Sequence, residues 1–213
     1  MQLTPISEAD LPLAIAAMRA DLAPGTMARA VFDRIAATQD LIPLGVDTAE
    51  HRAQGAALAR RFGIGTIDAA PAEAWSYDGR SIRIRSEAYV LIHEVAHWLV
   101  ATPERRRLLD FGLGAGPESG RVAEADAQLC VTKDVQIEEE ALASLLGILW
   151  EVELGQPAIL AFLEQNWLEG WGRPACAENL RANLDRLLAR GLIDAGGRPI
   201  QPESFLAGPS QAA

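Results

Sequence analysis

Cysteine occurs only twice in the 213-residue chain, at Cys130 and Cys176, with no CxxC spacing and no paired framework. A disulfide-stapled fold is excluded, and both thiols are expected to be free in a reducing compartment. Lysine occurs once, at Lys133, against eighteen arginines, which reads as codon bias rather than chemistry. Positive charge is in deficit: 19 basic residues face 29 acidic ones, for a formal net charge of −10. A nucleic-acid binder needs a basic footprint to displace counterions, so that class of partner is not expected. The one basic run, Arg105-Arg106-Arg107, reads as a solvated helix face. Long apolar stretches are missing too. The runs near Leu145–Trp150 and Tyr89–Ile92 are too short to span a bilayer, and residues 1–8 show neither a basic n-region nor an apolar core. No membrane role is expected, and the cytoplasm is the expected location.

What is present fits an ordinary globular chain, 49% hydrophobic and 23% charged, with no repeat and no low-complexity linker. The expectation is one metalloenzyme domain over residues 1–213, with a loosely held tail after about residue 196. Apolar spacing predicts helices over Ser7–Arg19 and Thr26–Ala37, then a third that Asp47 or Thr48 caps and that ends near Phe62-Gly63. Ile64–Ile67 reads as a short strand. Tyr77-Asp78-Gly79-Arg80 carries a turn signal, and Ser81–Arg85 alternates apolar and polar side chains as a half-buried strand does. Ser86 stands as a cap and Glu87 as a first-turn acid for a helix over Glu87–Ala101. After the glycine-rich stretch 111–117, helices are predicted over Val122–Cys130, Ile137–Leu154, Ala158–Leu168 and Cys176–Arg190. The fold class expected is α+β, mainly α, with the motif helix packed near a small sheet.

Two of the three histidines fall in His93-Glu94-Val95-Ala96-His97; the third, His51, reads as a solvated surface residue. Side chains four apart on a helix share a face, so the two imidazoles can converge on one ion. Glu94 points about 100° away, within reach of a water on that ion, which makes it the candidate catalytic group. No later histidine follows, so the third ligand is expected to be a carboxylate. The acids Glu138, Glu139 and Glu140 open the next long apolar helix. Three adjacent acids also suit a helix N-terminus, but Glu140-Ala141-Leu142-Ala143-Ser144 resembles the E-x-x-A-D element of other H-E-x-x-H metalloenzymes. Glu140 is therefore favoured as ligand over its two neighbours, with Ser144 as its supporting residue. Asp110 is either a turn residue or part of the site. Trp98 could line a pocket, and Glu118, Glu124 and Asp126 are weaker ligand candidates.

Leu91-Ile92-His93-Glu94-Val95-Ala96-His97-Trp98, followed by Glu104-Arg105-Arg106 and Asp110-Phe111-Gly112, resembles the bacterial elongation factor P hydroxylase family. Glu140 and Leu154-Gly155-Gln156-Pro157 extend the likeness, which covers roughly residues 82–157. The resemblance implies a zincin-like fold and a metal held by His93, His97 and Glu140. It also implies hydroxylation of a modified lysine on elongation factor P or another such protein. The chain departs from the family pattern after Gly112, where Leu113-Gly114-Ala115-Gly116-Pro117 replaces aromatic residues, and it lacks the family's Lys-Pro-Gln element.

Three functions follow. Two histidines and a carboxylate suit a non-haem iron oxygenase. The same ligands suit a zinc hydrolase or peptidase with Glu94 as general base. The third is a non-catalytic protein with a structural metal. One divalent transition-metal ion, iron or zinc, and a protein or peptide substrate are the cofactor and partner expected.

Overall fold

A computed structural model of the chain describes residue 6 and residues 9–44, 47–171 and 173–207. The described residues are mostly helical with one small sheet, so the α+β, mainly α expectation holds. No helix among them is long and apolar enough to cross a membrane. The chain divides into two compact units, residues 1–46 with 148–199 and residues 47–147 with 200–213.

The first unit holds α1 (Leu11–Asp21), α2 (Met27–Ala37), α7 (Ala158–Glu164) and α8 (Pro174–Ala189). Its core is the apolar side of α2, where Val31, Phe32 and Ile35 are fully buried, and Phe32 packs on Phe162 of α7 at 5.8 Å between ring centres. Thr38 joins the two ends of this unit: its Oγ1 accepts a hydrogen bond from Ile159 N at 2.9 Å. Helix α7 stops at Glu164, short of the predicted Leu168, because Asn166 takes a left-handed backbone with φ of 66°.

The second unit holds α3 (Ala49–Arg61), β1 (Gly65–Ile67), β2 (Ser81–Arg83), α4 (Ala88–Val100), α5 (Val122–Asp126) and α9 (Pro202–Leu206). Strands β1 and β2 pair in parallel, with Thr66 opposite Ile82. Thr48 caps α3 by accepting from His51 N. The cap of α4 comes from elsewhere than Ser86. The Asp47 carboxylate accepts from Ala88 N at 3.0 Å and pairs through its other oxygen with Arg52 of α3. One acid thus neutralises an orphan donor at the start of α4 and ties it to α3. Helix α4 buries Leu91, Ile92, Val95, Ala96 and Leu99. Phe205 of α9 lies against Phe62 and Trp98, at 5.7 and 6.0 Å between ring centres.

Helix α6 (Lys133–Leu154) runs through both units, its first part in the second and its last turns in the first. It begins one turn before the predicted Ile137, since Thr132 accepts from Val135 N and starts the helix there. Glu138, Glu139 and Glu140 therefore lie in its second turn rather than at its mouth.

Candidate metal centre

Helix geometry places His93 and His97 one turn apart on α4, their rings edge to face at 4.5 Å between centres. Glu140 reaches them from α6: its Oε2 lies 3.5 Å from Nε2 of each histidine. One donor atom from each of the three residues falls within 4.8 Å of the other two. Donors about 2.1 Å from a tetrahedral ion stand roughly 3.4 Å apart, close to the 3.5 Å between Glu140 and each histidine. His97 is 6% exposed whereas the Glu140 side chain is 57% exposed. The cradle is thus buried at His97 and exposed at Glu140.

The approach of the two helices has a local cause. Gly147 lies two turns beyond Glu140 on the same face of α6, and a Cβ there would stand 3.4 Å from His93 Cα. Helix packing at that point is backbone against backbone.

The electrostatics follow from crowding acids and imidazoles. Burial pushes the Glu140 carboxyl up, but its contacts with His93 and His97 win and hold it well below the usual carboxylate range. Burial would lower His97, yet the hydrogen bond to Glu140 and the charges of Glu140, Glu94 and Glu139 raise it. Glu94 is half-buried, and desolvation pushes it up to about 8, against the pull of His97 and with help from Asp110, Glu140 and Glu118. A carboxyl raised this far holds its proton near neutral pH.

The other sequence candidates fall into place around this cradle. Glu139 is turned away and gives both oxygens to Arg105, at 2.8 and 2.5 Å. Glu138 is half-buried and stands outside the three-residue group. Ser144 is buried one turn beyond Glu140. Asp110 stands outside the three-residue group; its carboxylate accepts from Tyr77 N at 3.0 Å and Ser119 Oγ at 2.6 Å. Trp98 sits in the cluster with Phe62 and Phe205, under the Arg106 guanidinium at 4.0 Å. Glu124 pairs with Arg121, and Asp126 accepts from Ala115 N. Glu118 is exposed, near enough for its charge to raise Glu94.

The basic run is only partly a solvated face, since Arg107 is exposed but Arg105 and Arg106 are not. Arg105 is nearly buried against Glu139, and Arg106 stacks on Trp98 while donating to its carbonyl at 2.7 Å. Sequence reading missed Arg105 because its partner lies 34 residues away. The available signal was the pairing of that run with the acidic trio 138–140.

Two imidazoles and one carboxylate are a donor set that could hold one metal ion. Residues 81–153 match the model of a family described as elongation factor P hydroxylase. The match covers about one third of the chain and contains His93, His97 and Glu140. No curated protein and no solved structure matches the chain.

Proposed function

We propose that the chain is a metal-dependent hydroxylase acting on a protein side chain, with His93, His97 and Glu140 holding one divalent transition-metal ion. The observation that carries this reading is the convergence of three donor atoms within 4.8 Å, inside the segment that matches the hydroxylase family. The donor chemistry suits Fe(II), which takes two histidines and a carboxylate on one face. Bound there, iron would supply oxygen activation, and zinc would supply Lewis acidity.

The protein's own groups have the remaining work. Glu94 takes or gives a proton at the substrate atom presented over the cradle, a task suited to a carboxyl whose acidity lies near neutrality. The exposed oxygens of Glu140 and the nearby charge of Glu118 give the opening a negative potential. Such an opening draws a cationic group, in keeping with a modified lysine on elongation factor P or a similar protein. That substrate places the reaction in the cytoplasm, where two free thiols also belong.

A zinc hydrolase is the second reading, favoured by the position of Glu94 beside the cradle. The test is elemental analysis of protein purified anaerobically without added metal, followed by incubation with elongation factor P carrying its modified lysine. Iron, and a gain of one oxygen atom that disappears without oxygen, support the hydroxylase. Zinc with oxygen-independent cleavage of a peptide or amide bond establishes the hydrolase and rejects the first reading.

A further inference from the structure

Three consecutive residues beyond the motif helix have left-handed backbone: Asp110 at φ 41°, Phe111 at 58° and Gly112 at 66°. Glycine takes this conformation freely, and at Gly112 a Cβ would also meet Cys130 Sγ at 2.7 Å. For phenylalanine it is strained, and it persists only where the surroundings over-determine it. They do so here. Asp110 N donates to Tyr77 O at 3.0 Å, Tyr77 N donates to the Asp110 carboxylate at 3.0 Å, and Ser119 closes the other carboxylate oxygen. Phe111 O accepts from Arg105 Nε at 2.9 Å.

The product of this strain is the place of one ring. Phe111 lies between Tyr77, stacked at 4.3 Å and 11°, and His97, stacked at 5.7 Å and 22°. His97 Nδ1 is buried and has no hydrogen-bond partner among the described residues. A metal-binding histidine ordinarily donates its second nitrogen to an acceptor, which fixes the ring. In this protein the ring is fixed by its face.

The same segment reaches the carboxylate side of the cradle. The Arg105 guanidinium that holds Phe111 O also forks onto Glu139, the neighbour of Glu140 on α6. Both partners are nearly buried, at 11% and 7% exposure. A buried ion pair adds little net stability over apolar residues of the same size, so stability alone does not account for it. A planar fork with fixed hydrogen bonds does fix distance and angle.

We propose that residues 105–112 are a positioning element for the metal centre: Phe111 orients His97, and Arg105, through Glu139, sets where Glu140 stands. This rests on the reading of His93, His97 and Glu140 as ligands. Cobalt(II) is the probe, because its visible bands report ligand geometry and its affinity is measured by competition with a chelator. Arg105→Lys keeps the charge and loses the fork, Glu139→Gln removes the acceptor charge, and Phe111→Leu removes the stack. Each is expected to weaken cobalt affinity by roughly tenfold or more and to shift the visible bands. Arg105→Lys combined with Glu139→Gln should be little worse than either alone, because the two act as one device. Melting curves of each variant without metal report the fold separately. Should Arg105→Lys fail to melt cooperatively, Phe111→Met, close in volume, carries the test by the same two readouts. Wild-type affinity and bands in all folded variants, even with lowered melting temperatures, overturn the positioning role and leave the metal reading intact. If the wild-type protein takes up no cobalt, or His97→Ala takes it up unchanged, the metal reading itself falls and this proposal with it.

Discussion

At the scale of single residues, three adjacent acids of one helix have three different surroundings. Glu139 is spent on Arg105, Glu138 stands outside the donor group, and Glu140 faces both histidines. Glu140→Gln is therefore expected to lower metal affinity by at least roughly tenfold, and Glu138→Gln to leave it close to wild type, both read by chelator competition. Glu94 belongs to a different test. Its carboxyl lies beside the cradle, so Glu94→Gln should keep the metal and lose about 10²–10⁴-fold in turnover; undiminished turnover removes it from the chemistry. The histidine spacing was legible because it is a local pattern on one helix. The burial of Arg105, the left-handed Phe111 and the capping of Ala88 by Asp47 were not, because each depends on a partner distant in sequence.

The elements show where local patterning was enough. Periodicity located α1 to α8 to within a turn or so, with errors at their ends, where caps decide the boundary; α9 was missed, because the chain after about residue 196 reads as a loosely held tail. Thr132 moved the start of α6 back by a turn and Asn166 cut α7 short. Between elements, the contact of Gly147 with the His93 backbone sets how closely α6 approaches α4. Gly147→Val puts a Cβ and two methyl groups into that contact. It should push Glu140 away from the histidines and cost about 1–3 kcal/mol in stability, with metal affinity reduced by chelator competition. Along the same helix, Glu151 is 3% exposed and one carboxylate oxygen has no hydrogen-bond partner. Burial, with the charge of Glu164, pushes its acidity up to about 8 from the ordinary 4.5. A carboxyl raised on folding holds a proton that the unfolded chain releases. Its contribution is thus present below about pH 4.5 and lost as pH rises toward 8. Glu151→Gln should flatten that loss, raising stability at pH 8 relative to wild type by on the order of 2–4 kcal/mol and changing little at pH 4.5. Melting temperatures across that range measure it.

On the scale of the whole molecule, the net charge of −10 agrees in sign with the negative opening on which the proposed cationic substrate rests. The division into two units was not legible in the sequence, because each is assembled from segments that other residues interrupt. The unit that carries the candidate site takes α9 from beyond residue 199, and there Phe205 closes an aromatic cluster on Phe62 and on Trp98 of the motif helix. Phe205→Ala should cost about 1–3 kcal/mol, below the full value for a core phenylalanine because this ring is half-buried; a denaturant titration gives the figure. The placement of α9 also sets a clock on the ribosome. About a hundred residues separate Trp98 from Phe205, and at about 5–20 residues per second the emerging motif helix waits on the order of 5–20 s for its last aromatic neighbour. During that interval the ring of Trp98 is shielded by Phe62 and Arg106 alone of this cluster, and a nascent chain stalled there offers an apolar face to whatever chaperone stands at the exit.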